Sequence, residues 1–194
     1  MQIVPKTGTE PFQCGELPLQ KTLLDFWRWS ASDLVGNTTR GVLAEYIVSC
    51  ALNLQSAARV EWDAFDLLAV GGRKIEVKSA AYLQSWKQQG LSRIKFGIQP
   101  TRALNDGTNI YEIERKRQAE LYIFCLMHHQ DRGTINPLDM AQWTFYLLAA
   151  SVLDKQVQAQ KTIVLSSLLR LNPIQVKYEG LAEAIDTGLN PRAV

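Results

Sequence analysis

At 194 residues, 46% hydrophobic and 21% charged, the chain has the length and balance of one compact domain, which leaves little room for a second. A formal net charge of +2 excludes a strong global field for polyanions, so any nucleic-acid contact has to come from local clustering. Three scattered cysteines without CxxC spacing suggest neither a disulfide framework nor a thiolate zinc site, and a reducing cytoplasm is the expected compartment.

Residues 1–18 read as a loosely ordered arm, because Met1 to Phe12 mixes Pro5, Lys6, Gly8 and Glu10 with few apolar residues and lacks the continuous apolar segment of a secretory signal. Leu23, Leu24, Phe26, Trp27 and Leu34 recur at helical spacing, which predicts a first helix over 19–34 with Gly36 as its stop. A second helix is predicted over 39–53, where Val42, Leu43, Tyr46, Ile47, Cys50 and Ala51 form one stripe behind the capping residues Asn37 to Thr39.

Two β-prone segments, 64–70 and 73–79, flank Gly71-Gly72 and predict a hairpin. A half-exposed strand over 92–99 ends at Pro100, and 80–89 between them reads as a short helix or an irregular turn. Residues 101–118 read as a long loop with a solvated charged run, in which Arg115, Lys116 and Arg117 are hemmed in by Glu112, Glu114 and Glu120. Two apolar strands, 119–128 and 143–149, extend the sheet. A strand at 162–165, a short helix at 166–171 and a final helix at 178–187 complete the chain. The longest nearly apolar run, 144–153, is far below the roughly 20 residues of a membrane span, so a soluble protein with no membrane partner is expected. The order of elements implies a mixed α/β domain with helices packed on a central sheet.

The chemistry concentrates at the hairpin. On a strand, Glu76 and Lys78 point to one side while Ile75 and Val77 point to the other, so a carboxylate and an amine stand side by side. Asp66 joins them on the same face only if the strands pair about Gly71, as a three-residue loop with a glycine bulge allows. Asp66, Glu76 and the main-chain carbonyl of Val77 then offer hard oxygen ligands for Mg2+ or Mn2+. A protonated Lys78 cannot be a ligand, but it can orient an attacking water and offset charge on a phosphate. The bland alternative is an exposed charge ladder of Lys74, Glu76 and Lys78. Asp63, just before the strand, is the alternative metal ligand.

Asp66 followed by Glu76-Val77-Lys78 behind a glycine hairpin resembles the PD-(D/E)XK superfamily of restriction-endonuclease-like nucleases, with Phe65-Asp66 standing where that pattern has Pro-Asp. The resemblance is best over 39–99. It implies a restriction-endonuclease-like fold over 1–194, with a mixed sheet carrying the hairpin at its centre, an endonuclease acting on DNA, and an outer-shell metal role for Glu45 on the preceding helix. Tyr82, Gln84 and Lys87, after the motif, are candidates for base stacking or phosphate contact, and Gln84 resembles a polar residue some members use near the phosphate. The same residues could cap the sheet, and Trp86 reads as packing. A homodimer fits the need for two sites to cut a duplex. The alternative function is a binding or assembly module that keeps the fold without turnover. No phosphate-binding glycine loop, GxSxG elbow or dinucleotide fingerprint is present.

Overall fold

The computed structural model describes residues 3–54, 58–60, 64–105 and 110–187. In chain order the strands and α-helices are β1 (Pro11–Cys14), β2 (Leu17–Thr22), α1 (Leu23–Ala31), α2 (Asn37–Ala51), β3 (Leu67–Leu68), β4 (Lys74–Ala81), β5 (Lys95–Gly97), β6 (Leu104–Asn105), β7 (Ile110–Tyr111), β8 (Leu121–Met127), β9 (Trp143–Ala149), α3 (Ala150–Gln156), β10 (Thr162–Val164), α4 (Leu165–Leu169), β11 (Ile174–Val176) and α5 (Leu181–Thr187).

The main sheet has the order β11-β9-β8-β4-β3. Its middle strand β8, Leu-Tyr-Ile-Phe-Cys-Leu-Met, is buried along its whole length, as an unbroken apolar run requires when both faces are covered. β8 runs parallel to β4, with Glu76 beside Tyr122 and Lys78 beside Phe124, whereas the other strand pairs of this sheet are antiparallel. Parallel pairing demands a long crossover, and residues 82–120 supply it. On one face Val77, Ile123 and Phe145 meet Ala44, Ile47 and Val48 of α2 and Leu181 and Ile185 of α5. On the other, Phe124, Tyr146 and Leu148 meet Phe96 of β5, Ile163 of β10, Leu153 of α3 and Leu168 of α4. The Phe96 and Phe124 rings pack edge to face at 5.1 Å, worth about 1 kcal/mol beyond their burial.

The structure departs from the sequence reading in several places. Residues 11–22, two thirds of them inside the expected loose arm, pair as an antiparallel hairpin with an exposed surface. The first helix therefore starts four residues later than predicted, where the Asp25 carboxylate accepts the Thr22 N–H at 2.9 Å in the manner of a capping box. The glycine hairpin was expected at the centre of the sheet, but β3 is an edge strand and β8 takes the centre. Trp86, read as packing, is half exposed. The described part of the 101–118 loop contains the two short strands β6 and β7 and a bridge between Thr101 and Lys116.

Arg117 was read as part of a solvated face, yet its guanidinium is buried. It donates to the carbonyls of Ile98 (3.1 Å) and Gln158 (2.8 Å) and to Asp154 Oδ1 (2.5 Å), tying the crossover to α3. Arg117→Ala is expected to lower stability by about 2–4 kcal/mol, since the buried Ile98 carbonyl and the part-buried Gln158 carbonyl lose a charged donor. Denaturant unfolding checks this, and a loss within the ~0.5 kcal/mol typical of a surface site would return Arg117 to the solvated face. Among the described residues no helix is long and apolar enough to cross a membrane.

Candidate active site

The site begins with the turn. Gly71 and Gly72 have φ of +88° and +84°, a region that costs glycine no Cβ clash. They let Val70-Gly71-Gly72 close as a three-residue loop, in which Ala69 N–H donates to the Arg73 carbonyl (2.9 Å) and Gly72 N–H to the Ala69 carbonyl (3.0 Å). Leu67 pairs with Ile75 and Leu68 with Lys74, a register centred on Gly71. Just before these pairs the Asp66 N–H bonds the Ile75 carbonyl at 3.0 Å, which brings Asp66 alongside the start of β4. Glu76 and Lys78 share a face of β4, and Asp66 lies within electrostatic reach of both.

Asp66 Oδ2 accepts the Val77 N–H at 2.6 Å. Because a strand residue directs its N–H and C=O to the same edge, the Val77 carbonyl also faces this open side of β4. Lys78 Nζ lies 2.5 Å from Glu76 Oε1, and both side chains are largely withdrawn from water. Lys74 does not complete a charge ladder, since its ammonium sits over the Phe65 ring at 5.3 Å. From α2, Glu45 reaches the same region. Arg59 grips it with two bonds, Nε to Oε2 at 2.5 Å and Nη2 to Oε1 at 3.1 Å. Glu45, Arg59 and Asp66 line one groove of about 400 Å³ with Val42, Tyr46 and Leu67.

These neighbours reshape the titrations. Burial, and then the charge of Glu76, push the Asp66 carboxyl up to about 6; Lys78 and the Val77 N–H pull the other way, and Glu45 adds to the rise. For Lys78 burial disfavours the ammonium, but Glu76, Asp66 and Glu45 outweigh it and hold the pKa above its ordinary value. Lys78 is thus a fixed cation and not a general base. Tyr122, beside Glu76 on β8, is kept protonated by burial first and by Glu76 second.

Among the described residues no group of three or more His, Cys, Asp and Glu side chains stands arranged as a metal cage. The donor set nevertheless fits a small hard cation, which is held through one or two carboxylates with the remaining positions left to water and substrate phosphate. Asp66, Glu76 and the Val77 carbonyl meet that requirement, and the raised Asp66 pKa reflects a buried carboxylate beside a like-charged one. A cation bound there would compete with the proton for Asp66. Mn2+ affinity is expected to be flat above about pH 7 and to fall by up to tenfold per unit below about 6, because a raised carboxyl pKa keeps the proton bound until that pH is exceeded. Calorimetric titration between about pH 5 and 8 checks this, and an affinity unchanged across the range contradicts it.

The structure does not bring every predicted residue to the hairpin. Gln84 is buried, its Nε2 bonded to the Ala81 carbonyl at 3.0 Å and its Oε1 3.5 Å from Arg40 Nη1. Tyr82 packs against the core under β5, and Lys87 is exposed on the connection after β4. Asp63 lies outside the described residues. Arg59 and Tyr122 were not anticipated. Tyr122 reaches Glu76 only through the parallel pairing of strands far apart in sequence, which leaves no local signal.

A family model described as "Bacteriophage T4 endonuclease IV" matches residues 21–167, about three quarters of the chain and a span that contains Glu45, Asp66, Glu76 and Lys78. No curated protein matches the chain.

Proposed function

The chain belongs to the bacteriophage T4 endonuclease IV family and is a nuclease of the PD-(D/E)XK superfamily with a restriction-endonuclease-like mixed sheet, and from that premise we propose that it hydrolyses DNA phosphodiester bonds with Mg2+ or Mn2+ at the β3–β4 hairpin. The observation that carries this reading is the juxtaposition at the hairpin, where Asp66 accepts the Val77 N–H beside the Glu76–Lys78 pair.

In this proposal Asp66, Glu76 and the Val77 carbonyl hold the cation and Glu45 supports it from the outer shell. The cation, when bound, supplies Lewis acidity and lowers the pKa of water in its shell. Lys78 holds the attacking water by a charge-assisted hydrogen bond and offsets the negative charge that grows on the phosphoryl oxygens. A new bond forms from the water oxygen to phosphorus as the bond to the leaving deoxyribose oxygen breaks; the water gives up one proton to solvent and the departing oxygen takes one up, leaving a phosphate monoester and a free hydroxyl. Arg59 fixes Glu45, so that its charge bears on Asp66 and Lys78 from a constant position.

The test is an assay of single-stranded DNA, duplex DNA and RNA with Mg2+, Mn2+ or EDTA. Cleavage of DNA with either cation and none in EDTA is the expected result. Undiminished cleavage in EDTA, or cleavage of RNA alone, overturns the proposal, and binding without cleavage gives the alternative of a module that keeps the fold without turnover.

A further inference from the structure

Beyond its first two residues β4 has lost its outer neighbour, because β3 pairs only with Lys74 and Ile75. Among the described residues no strand pairs with the rest of this edge, which lies between α2 on one face and β5 on the other. Asp66, Glu76 and Lys78 occupy the near end of this edge. At its far end is a cavity of about 270 Å³ lined by Asn37, Arg40, Ser79, Gln84, Arg93 and Lys95, together with two alanines and no acidic residue.

Arg40 is 3% exposed. Its Nη1 donates to the Val35 carbonyl at 2.7 Å and its Nη2 to Asn37 Oδ1 at 2.6 Å, but its Nε is buried with no hydrogen-bond partner among the described residues. Its acidic neighbour Asp33 is engaged by the N–H groups of Val35 and Gly36. A guanidinium withdrawn from water without a carboxylate against it is costly unless an anion completes it. Arg93 and Lys95 alternate with buried Ile94 and Phe96, so both project from the same side of the β5 segment, and neither has an ion-pair partner among the described residues. The first turn of the 15-residue helix α2 adds its positive end. Three cations, a hydroxyl and two amides in a cavity that no acidic residue lines are a set suited to a phosphate group.

We propose that this cavity is a phosphate subsite, which grips a second phosphate of the strand whose scissile phosphodiester lies at Asp66, Glu76 and Lys78. The inference rests on the nuclease reading and adds to it how the substrate is positioned. Ser79 to Ala81 follow Lys78 directly, so the subsite stands on the order of 10 Å along β4 from the reacting phosphate. The phosphate gripped is either an internal phosphodiester or a terminal monoester.

The test compares the double variant Arg93→Ala/Lys95→Ala with Lys155→Ala/Arg170→Ala, which removes the same charge from exposed positions outside the cavity. Binding of oligonucleotides with and without a 5′-phosphate is read by anisotropy in Ca2+ across a salt series, and cleavage by kcat and KM in Mn2+. For the subsite variant a loss of affinity of about tenfold, a shallower salt dependence by roughly one unit of slope, and a raised KM with kcat changed less than about twofold are expected; the control shifts far less. Loss on both oligonucleotides assigns an internal phosphate, and loss only on the phosphorylated one assigns a terminal phosphate. Equal losses in the two variants, or no loss in either, while wild type binds and cleaves DNA, overturn the subsite alone. A wild type that neither binds nor cleaves DNA overturns the nuclease reading with it. Should Arg93→Ala/Lys95→Ala unfold, Arg93→Gln/Lys95→Gln keeps the side-chain bulk and answers the same question.

Discussion

Asp66→Asn is expected to yield a protein that is more stable than wild type and devoid of activity. The Asp66 carboxyl has its pKa raised from 3.8 to about 6 by burial and by Glu76, so the folded chain binds that proton more tightly than the unfolded one. The sign follows directly: this proton's contribution is fully present below the unfolded value of 3.8 and is lost as pH rises through about 6. At pH near 8, without metal, wild type carries a buried carboxylate against its like-charged neighbour. An amide removes that charge while its oxygen still accepts the Val77 N–H, now bonded at 2.6 Å. The gain should be on the order of 1–3 kcal/mol, which in a chain of this size raises Tm by roughly 2–4 °C per kcal/mol. Thermal unfolding in EDTA near pH 8 and again near pH 4 measures it, with the difference shrinking at the lower pH. The same variant should lose Mn2+ binding and cleavage together. A variant less stable than wild type near pH 8 would mean that Asp66 is a structural hydrogen-bond acceptor and not a strained ligand.

Lys78→Ala should separate catalysis from metal binding. Removing one preorganised cationic donor from the reacting phosphate typically lowers kcat by about 10²–10³-fold. Cation affinity should hold or rise, because the ammonium now 2.5 Å from Glu76 Oε1 no longer competes for that oxygen. Glu76→Ala should instead lose the cation and the activity together. Two nearly silent substitutions would describe a solvated charge pair, whose worth is at most about 1 kcal/mol. Single-turnover cleavage beside Mn2+ titration distinguishes these outcomes.

The hairpin and its register were legible because they rest on local rules: glycines that accept positive φ, a loop length that fixes pairing, and a strand period that puts Glu76 and Lys78 on one face. The apolar runs of β8 and β9 were legible for the same reason. Their arrangement was not, since the parallel pairing of β4 with β8 joins segments separated by the 82–120 crossover, and with it went the central place assigned to the hairpin and the proximity of Tyr122 to Glu76. Arg117 sits among charged residues in sequence, and only tertiary packing turns it inward to Ile98 and Gln158. Gln84 was singled out as a polar residue after the motif that could contact the phosphate. Its partners, Arg40 and the Ala81 carbonyl, place it in the cationic cavity and not beside the carboxylates.

The most direct measurement of the central claim is the location of Mn2+ by anomalous scattering in crystals of the active protein. The account expects a peak between the Asp66 and Glu76 carboxylates, with oxygen ligands at about 2.0–2.2 Å and the Val77 carbonyl among them. A protein that cleaves DNA with its Mn2+ elsewhere, and with no peak at the β3–β4 hairpin, would contradict it.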